Sequence, residues 1–433
     1  MQLVLLSGGS GKGLWPLSND ARSKQFLHLF ESPEGEMESM VQRVVRQIRS
    51  TLPYAELTFA TTLTQRDGII NQIGENVNIV IEPERRDTFP AIALASSFLS
   101  KEKGCGDDET VVVMPCDVFT ETGYFEAIAK MASAVQTDEA DLVLMGVRPT
   151  SPSDKFGYIL PSGTVSGHQS IAVSRFVEKP YPDHAEKLLS EGAFWNGGVF
   201  AFKLGYLMDI VSRYSELPKI SFDYEVVEKA DSVAFVPYDG KWKDLGTWTV
   251  LCEELLSNHI GNVLMGKENE NTHVVNELEL PLFCEGLKDV VVAASPDGIM
   301  VCAKEKSESV KDYVADLVTR PMYEERRWGT YRVLDTATYP DGAKSLTKSL
   351  TIKAGKSISY QIHHHRSEVW TIVDGLGEFV LDGERRTVQR GDVLNIPMEH
   401  YHAIKATTDL TLIEVQTGNP LVEEDIERFD WTW

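Results

Sequence analysis

The sequence LVLLSGGSGKGLW (residues 3–15) places a glycine-rich loop directly after a short apolar run. Four consecutive apolar residues, Leu3 to Leu6, are typical of a buried strand. Glycines accept positive φ and let the backbone approach a ligand closely, so the N–H groups of this loop can surround phosphate oxygens. The loop lacks the Lys-Ser/Thr end of a P-loop and the spacing of a dinucleotide fingerprint, which excludes both classes. The candidate phosphate-binding residues are Gly8, Gly9, Ser10 and Gly11.

Short apolar runs alternate with helix-like stretches through residues 1–254. The run VNIVIE (77–82) precedes a helical pattern at 91–99, and VVVMP (111–115) precedes another. This alternation predicts an α/β domain with a mainly parallel, mixed sheet, in which ligands bind at the loops that follow the strands.

The rest of the chain is richer in strand-like sequence. Residues 255–325 consist of apolar pieces separated by turns, and we expect a small β-rich connecting module there. From 326 to 433, strand-like runs are punctuated by glycines and Asp-Gly pairs, which predicts an antiparallel β-barrel.

The composition describes an acidic globular chain. Its 433 residues are too many for one ordinary core and indicate two or three domains. The formal net charge of -23 argues against nucleic acid and anionic membranes as partners. Five cysteines without CxxC spacing indicate neither a disulfide framework nor a thiolate zinc site, and the first apolar run is too short for a signal peptide or a membrane span. We therefore expect a cytoplasmic protein.

The loop continues into WPLSNDARSKQFLHLF (15–30), which closely resembles the pyrophosphorylase signature of mannose-1-phosphate guanylyltransferases. Further matches to that family follow in order: IEPERRDTFPAIALA (81–95), VVVMPCD (111–117), LMGVRPTSPSDKFGYI (144–159), RFVEKP (175–180), FWNGGVFAF (194–202), SFDYEVVEK (221–229) and KWKDLGTW (241–248). The resemblance implies a Rossmann-like nucleotidyltransferase domain. By the same resemblance, the substrates are a nucleoside triphosphate, GTP, and a sugar 1-phosphate, mannose 1-phosphate, and the product is GDP-mannose.

This chemistry joins two anions, so positioning and charge neutralisation supply most of the catalysis. The resemblance implies that Asp117 and Asp244 hold Mg²⁺, which commonly takes one or two carboxylates together with phosphates. It also implies that Lys24 binds phosphate. Lys12 and Arg22 are further cations close to the loop in sequence, and we expect them to contribute charge there.

Two further groups of residues correspond to binding positions of the family. Thr88 followed by Pro90 predicts a helix start with a capping hydroxyl and a proline in its first turn, and such a terminus suits an anionic ligand. The predicted nucleotide-binding residues here are Glu82, Arg85, Thr88 and Pro90. The residues that correspond to the sugar-contacting positions are Gly157, Tyr158, Glu178, Lys179 and Asn196.

Three positions depart from the family pattern. Gly13 replaces an arginine expected at the triphosphate, Ser23 replaces the proline before Lys24, and Val118 replaces a histidine after Asp117. The loss of one charge-assisted contact can slow such a reaction about a hundredfold. Either Lys12 or Arg22 substitutes for the arginine, or the domain is slow, acts on a different sugar or small-molecule phosphate or a different nucleoside triphosphate, or is a non-catalytic regulatory homologue.

Half of the histidines lie between residues 363 and 402. Gly355, Gln361, His363, Glu368 and Gly375 reproduce the first cupin motif, with glutamine in place of its first histidine, and Gly391, Pro397 and His402 match the second. Opposed strands of a cupin β-barrel bring such residues to one ion. The predicted ligands are Gln361, His363, Glu368 and His402, a set that suits zinc, iron, manganese or nickel.

The sequence around these motifs resembles the type II mannose-6-phosphate isomerase domain that is often fused to guanylyltransferases. Isomerisation needs a metal to polarise the substrate oxygens and a base to move a proton between C1 and C2. Val369 stands where the family has histidine, and the sequence stops at Trp433, before the family's Tyr-Gly-Arg ending. The barrel is therefore an isomerase, alone or beside the transferase, or a structural module that forms a homodimer.

Overall fold

The structure is a computed structural model, which describes residues 1–9, 12–163, 170–317 and 320–433. The chain divides into two compact units. The first contains Met1–Leu14, Ser23–Asn258 and Lys304–Val310, and the second contains Trp15–Arg22, His259–Ala303 and Lys311–Trp433. The predicted division at residues 254 and 325 stays a prediction, but the units show that a short early segment belongs with the later part of the chain.

Among its described residues, the first unit is built on a mixed β-sheet of nine strands, with two further strand pairs beside it. The strands of the unit are β1 (Gln2–Ser7), β2 (His28–Glu31), β3 (Met37–Ser39), β4 (Glu56–Thr62), β5 (Asn78–Glu82), β6 (Thr110–Pro115), β7 (Val118–Thr120), β8 (Leu142–Val147), β9 (Tyr158–Pro161), β10 (Ile171–Val177), β11 (Phe194–Lys203), β12 (Val233–Tyr238) and β13 (Trp242–Asp244). Its helices are α1 (Met40–Thr51), α2 (Leu63–Ile73), α3 (Thr88–Lys101), α4 (Thr122–Gln136), α5 (Pro182–Ser190), α6 (Leu204–Val211), α7 (Phe222–Glu225) and α8 (Trp248–Cys252).

The strand order of this sheet is β5-β4-β1-β6-β11-β8-β12-β10-β9. Strands β5, β4, β1 and β6 are parallel, whereas β11 is antiparallel to both of its neighbours β6 and β8. The apolar run Val111–Met114 is fully buried because a central strand of an α/β sheet is covered on both faces. The predicted Rossmann-like α/β fold with a mixed sheet is confirmed.

Strand pairing explains how distant residues reach one edge of this sheet. Because β1 and β6 are parallel neighbours, the glycine-rich loop after β1 and Asp117 after β6 lie at the same edge. Strand β13 pairs antiparallel with β7, and this register places Asp244 opposite Val118. Asp244 is thereby adjacent to Asp117.

Residues 259–303 form six short strands, most of which pair in parallel. They are β14 (His259–Gly261), β15 (Val263–Met265), β16 (His273–Asn276), β17 (Leu282–Cys284), β18 (Val290–Ser295) and β19 (Gly298–Ala303). Strands β14, β16 and β18 pair in parallel, as do β15 and β17, which is the arrangement of stacked turns in a β-helix. A short helix α9 (Val310–Tyr313) follows.

The C-terminal part is a cupin-type β-barrel of two antiparallel sheets. Its strands are β20 (Tyr323–Arg326), β21 (Gly329–Thr338), β22 (Lys344–Ile352), β23 (Tyr360–His363), β24 (Arg366–Asp374), β25 (Leu376–Leu381), β26 (Glu384–Gln389), β27 (Val393–Ile396), β28 (His402–Ala406), β29 (Leu410–Gly418) and β30 (Ile426–Phe429). The sheet orders are β20-β21-β22-β29-β24-β27 and β26-β25-β28-β23-β30. The predicted barrel is confirmed, and its core includes Leu350, Trp370, Ile404 and Leu412.

In the part of the chain that the structure describes, no helix is long and apolar enough to cross a membrane.

Candidate active site and metal centre

Lys24 lies between the two predicted magnesium carboxylates. Its ammonium nitrogen is 3.0 Å from an oxygen of Asp117 and 2.7 Å from an oxygen of Asp244. Burial alone would lower the pKa of Lys24, but the two carboxylates outweigh it and raise this pKa above its ordinary value. The side chain of Asp244 is 53% exposed, so the group opens to solvent. The structure thus brings together the three residues that carry the predicted transfer chemistry.

The base of the glycine-rich loop is held by a buried polar network. The hydroxyl of Ser23 and the amide of Gln65 each donate to the carbonyl of Gly9, both at 3.2 Å. Gln65 also donates to Ser23 at 2.6 Å, and Gln25 donates to Ser7 at 3.1 Å. Ser23, where the family has proline, is therefore a hydrogen-bonding support of the loop. The predicted phosphate-binding residues Ser10 and Gly11 lie outside the described residues.

A steric contact explains why position 13 is a glycine. A β-carbon on Gly13 would lie 2.4 Å from the carbonyl oxygen of Gly246, a contact that side chains do not make. Gly246 follows Asp244 by two residues, so the loop that comes directly after strand β13 packs on the glycine-rich loop. An arginine at position 13 would displace that loop. Lys12 starts the 3-10 turn Lys12–Leu14 beside it.

At the nucleotide end, the predicted cap is wrong in one respect. Helix α3 begins at Thr88, but its capping residue is Asp87, whose carboxylate accepts the N–H of Thr88 at 2.8 Å. The hydroxyl of Thr88 instead accepts the N–H of Phe222 at 2.8 Å, which ties α3 to α7. Pro90 is buried in the first turn. A carboxylate at the N-cap therefore already occupies part of the terminus that was expected to face an anion.

Glu82 ends strand β5 close to the glycine-rich loop. A β-carbon on Gly8 would lie 3.2 Å from a carboxylate oxygen of Glu82. Burial raises the pKa of Glu82, and Arg85 opposes this shift. The structure thus places Glu82 beside Gly8, with Arg85 close enough to act on its charge.

The predicted sugar-contacting residues form a second cluster, with one exception. A β-carbon on Gly157 would lie 2.4 Å from an oxygen of Glu178, and Lys179 is 3.3 Å from the other oxygen of that carboxylate. The amide of Asn196 donates to Asp223 at 2.6 Å and accepts from the N–H of Gly198 at 3.2 Å. The orientation of the Asn196 amide is thereby fixed at both ends.

Asp223 is a residue of this cluster that sequence reasoning missed. Burial, together with the nearby Glu178 carboxylate, raises the pKa of Asp223 to about 7. Burial also raises the pKa of Glu178, and Lys179 opposes that shift. Two carboxylates with raised pKa values beside an amide form a set that can accept and donate hydrogen bonds to hydroxyl groups. The motif SFDYEVVEK contained the only sequence signal for Asp223.

Two predicted site residues have other partners. Tyr158 is fully buried, and its hydroxyl donates to the carbonyl and accepts from the N–H of Ser153, both at 2.9 Å. The side chain of Tyr158 is thus occupied within the fold. The guanidinium of Arg22 binds both carboxylate oxygens of Glu277, at 2.8 and 2.9 Å. Arg22 is thus paired with Glu277 within the second unit, and its contribution of charge to the glycine-rich loop stays a prediction.

Three predicted cupin ligands converge inside the barrel. His363, Glu368 and His402 are buried, and one donor atom from each lies within 4.8 Å of the others. The Nε2 atoms of His363 and His402 are 3.3 and 3.6 Å from the carboxylate of Glu368. The amide of Gln361 is 3.3 Å from Nε2 of His363. All four predicted ligands therefore meet at one place.

The surroundings prepare these imidazoles as metal ligands. Nδ1 of His402 is 3.0 Å from the carbonyl of His400, and Nδ1 of His363 is 3.4 Å from the carbonyl of Asp425. Such contacts favour the tautomer that leaves Nε2 free to coordinate. Nε2 of His402 is buried and has no hydrogen-bond partner among the described residues. Burial lowers the pKa of His363 to about 4, which keeps it neutral. This donor set fits a divalent transition metal.

The carboxylate ligand is supported by a second layer of polar groups. Glu368 accepts bonds from Arg366 at 2.9 Å, from Trp370 at 3.1 Å and from Gln416 at 3.3 Å. Burial favours the protonated form of Glu368, but His402, His363 and Arg366 outweigh it and lower its pKa. Burial and the charge of Glu368 raise the pKa of Glu414. The barrel interior therefore keeps one ionised carboxylate at the ligand position.

The profile of a family described as nucleotidyl transferases matches residues 2–258. The chain belongs to the nucleotidyl transferase family. A second profile, for the mannose-6-phosphate isomerase C-terminal domain, matches residues 317–431. The chain is thus a nucleotidyl transferase with an isomerase-type C-terminal domain, and the predicted enzyme class is confirmed.

Relatives of this nucleotidyl transferase extend along the full length of the chain. The xanthan biosynthesis protein XanB of Xanthomonas campestris is 30% identical over 99% of this chain and 98% of its own. The alginate biosynthesis protein AlgA of Pseudomonas putida is 30% identical over 99% and 95%. The mannose-1-phosphate guanylyltransferase of Escherichia coli K12 is 28% identical over 98% and 97%. The resemblance to guanylyltransferases inferred from the motifs is confirmed.

A solved structure supports the fold of the transferase. The protein titled mannose-1-phosphate geranyltransferase, from Thermus thermophilus, aligns with a TM-score of 0.60 and 29% identity over 73% of this chain and 99% of its own. Nucleotidyl transferases generally use Mg²⁺, and the pair Asp117 and Asp244 is the carboxylate donor set that this ion prefers. Lys24 contacts one oxygen of each carboxylate, and the structure shows no bond to the other oxygens from the described residues. These residues fit a magnesium ion.

Proposed function

We propose that this nucleotidyl transferase makes GDP-mannose and diphosphate from GTP and mannose 1-phosphate. The observation that carries the proposal is the ammonium of Lys24 held between Asp117 and Asp244 at the loop edge of the sheet. The sugar cluster around Asn196 belongs to the same unit, and the full-length relatives that carry an activity name are guanylyltransferases. The choice of GTP and mannose rests on those relatives.

In the proposed reaction, a phosphate oxygen of the sugar phosphate attacks the α-phosphorus of the nucleotide. The bond from that phosphorus to the oxygen bridging the α- and β-phosphates breaks, and diphosphate leaves with the electron pair. Lys24 neutralises charge on the phosphates, and the N–H groups of the glycine-rich loop orient the triphosphate. Asp117 and Asp244 would hold Mg²⁺, which offsets phosphate charge. No proton transfer is needed, so positioning is the main task of the protein.

The sugar cluster would select the hexose. Asn196, fixed by Asp223 and Gly198, presents one donor and one acceptor in defined directions. Glu178 accepts hydroxyl protons, and Lys179 reaches the phosphate of the sugar. Together these groups recognise a pattern of hydroxyls rather than a charge alone.

An assay of diphosphate release tests the substrates. GTP, ATP, CTP and UTP are each combined with mannose, glucose and galactose 1-phosphates, and the pair with the highest kcat/KM identifies the substrates. We expect GTP with mannose 1-phosphate. A different best pair contradicts the proposed substrates and leaves the transferase class intact. The absence of release with every pair supports the alternative that the domain is a weak or regulatory homologue.

We also propose that the barrel isomerises mannose 6-phosphate, and the buried cluster of His363, Glu368 and His402 favours this second activity. These residues and Gln361 would hold zinc, iron, manganese or nickel, which would polarise the sugar oxygens. The substitution His363→Ala should abolish isomerisation to fructose 6-phosphate and leave diphosphate release unchanged. Isomerisation that survives this substitution contradicts the metal assignment. If the wild type does not isomerise, the barrel is a structural or dimerising module, and the mass in solution then tests for a homodimer.

A further inference from the structure

Residues Trp15–Arg22, hereafter the 15–22 segment, are bound into the β-helix coils of the second unit. The hydroxyl of Ser295 donates to the carbonyl of Pro16 at 2.6 Å, in a buried position. The amide of Asn19 donates to Asp297 at 2.7 Å. A β-carbon on Gly298 would lie 2.6 Å from the ring of Trp15, so the indole rests directly on the turn between β18 and β19. One turn of the connecting module thus holds the segment at three points.

The end of the segment is anchored by charge. Arg22 forms a two-bond ion pair with Glu277, and its guanidinium lies over the ring of Tyr323, 5.4 Å from the centroid. The side chain of Arg22 is 15% exposed and that of Glu277 is 25% exposed. Burial would lower the pKa of Arg22, but Glu277 outweighs it and raises this pKa. A planar, two-bond pair with little exposure is a far stronger tie than an ordinary surface pair.

The segment also holds its own shape. The side-chain oxygen of Asn19 accepts the N–H groups of Ala21 and Arg22 at 2.9 and 2.7 Å, and the N–H of Asn19 donates to the carbonyl of Arg22 at 3.0 Å. Residues 19–22 therefore form a turn that these three hydrogen bonds close.

The covalent neighbours of the 15–22 segment are the catalytic elements. The glycine-rich loop ends at Leu14, immediately before Trp15, and Ser23 and Lys24 follow Arg22 directly. Ser23 supports the carbonyl of Gly9, and Lys24 bridges Asp117 and Asp244. Both ends of the segment therefore continue into residues whose placement the transfer reaction requires.

We propose that the connecting module is a positioning element of nucleotidyl transfer. Its residues Glu277, Ser295 and Asp297 hold the 15–22 segment, and through that segment they set the glycine-rich loop and Lys24. These three are positioning residues, which touch neither substrate nor metal. The inference rests on the transferase class of the chain and on the proposed roles of the loop and Lys24, whichever nucleotide and sugar are used.

The test uses the full-length chain and the best substrate pair from the panel. Glu277→Gln removes the charge of the tie, and Ser295→Ala removes a single hydrogen bond. We expect Glu277→Gln to lower kcat/KM for the nucleotide about tenfold, because small displacements of positioned groups are costly, and Ser295→Ala to lower it less. The KM for the sugar phosphate should stay within about twofold, since the orientation of the Asn196 amide is fixed by Asp223 and Gly198, which do not adjoin the segment in sequence.

A charge reversal distinguishes positioning from general loss of structure. Arg22→Glu and Glu277→Arg should each reduce transfer, and the double variant should recover part of it, which measures the coupling directly. The exposed pair of Lys288 and Glu270, 2.7 Å apart in the same module, is the matched control. Reversal of that pair should leave transfer unchanged.

Three outcomes would overturn the proposal. The first is unchanged transfer in both Glu277→Gln and Ser295→Ala. The second is an equal fall in apparent affinity for both substrates, and the third is no recovery in the double charge-reversal variant. Metal content of the barrel and melting temperature are measured for every variant, because both report whether the second unit is folded. If Glu277→Gln unfolds this unit, the transfer activity of Ser295→Ala decides between the proposal and its rejection. A wild type that prefers another substrate pair contradicts the proposed substrates only, because the variants are compared on that pair.

Discussion

The two candidate sites of this chain differ in how far their charged groups are exposed to solvent. At the candidate transfer site, the side chains of Lys24 and Asp244 are 20% and 53% exposed and form an ion pair at 2.7 Å. In the barrel, His363, Glu368 and His402 are at most 2% exposed, and backbone carbonyls and buried side chains fix them in advance. In an open site, the Lys24 ammonium can leave the two carboxylates and pair with the phosphates of the substrate, while Mg²⁺ takes its place at the carboxylates. A closed site is preassembled, so its affinity depends on every supporting bond.

The largest effect should come from the open site. Lys24→Ala should lower kcat for diphosphate release about 10²–10³-fold, because it removes a charge-assisted contact that strengthens in the transition state. Steady-state assays measure this. Lys203→Ala, which removes a lysine paired with Asp138 on the same unit, is the control and should have no effect. A loss for Lys24→Ala below tenfold would contradict the assignment.

The closed site should respond through metal affinity and leave transfer untouched. His402→Gln removes a ligand whose Nε2 points into the cluster, and metal binding should weaken about 100-fold. Metal content after dialysis against a weak chelator measures this. His400→Gln is a close control, because its exposed side chain bonds Asp382 and only its backbone carbonyl supports His402. If both variants retain metal equally, His402 is not a ligand.

The packing of the open site on the glycine-rich loop predicts a smaller effect. Gly13→Ala places a methyl group 2.4 Å from the carbonyl oxygen of Gly246 and must displace the loop that follows Asp244. We expect about a tenfold loss of kcat/KM and an overpacking cost of about 1–3 kcal/mol. Gly106→Ala is the control, because no atom lies within 4 Å of its added methyl group. Full activity in Gly13→Ala would show that the contact yields easily.

The smallest effect should be a pH dependence of the stability of the chain, caused by Asp223 in the Asn196 cluster. The pKa of Asp223 rises from an ordinary value of 3.8 to about 7 in the folded chain. The folded state therefore holds a proton that the unfolded state has released, and the wild type loses stability as pH rises from about 4 to about 7. Asp223→Asn lacks this loss, so its melting temperature relative to the wild type should increase by a few degrees from pH 5 to pH 8. Asp231→Asn, at an exposed position, should show no such trend.

The sequence predicted the residues of the candidate sites that stand in family motifs. Lys24, Asp117 and Asp244 were recognisable because each stands in a motif of the family, whereas the parallel pairing of β1 and β6 accounts only for the nearness of Asp117 to the glycine-rich loop. The predicted cupin ligands were recognisable from the residue types and spacing of the two cupin motifs. Asp223 was missed because it lies on the four-residue helix α7, and nothing local shows that its carboxylate reaches Asn196.

Two features that the sequence alone did not show, the partner of Arg22 and the reason for Gly13, depend on contact with residues far away in sequence. Arg22 was expected to serve the neighbouring loop because a sequence shows charge but not the partner, Glu277, that neutralises it. The sequence shows that Gly13 replaces an arginine, but it does not show that the carbonyl of Gly246 leaves no room for a side chain at this position. The histidines next to His363 also have acidic partners instead of a metal: His364 contacts Glu399 and Glu427, and His365 contacts Asp425.

The 15–22 segment has a consequence for how the chain matures. Its partners Glu277, Asp297 and Ser295 lie 255 to 279 residues further along the sequence. During synthesis, therefore, the transferase sheet can form long before its signature segment finds these anchors. When only the first 258 residues have emerged from the ribosome, the segment still lacks these partners, so its ion pair and its hydrogen bonds to the β-helix coils can form only after those coils emerge.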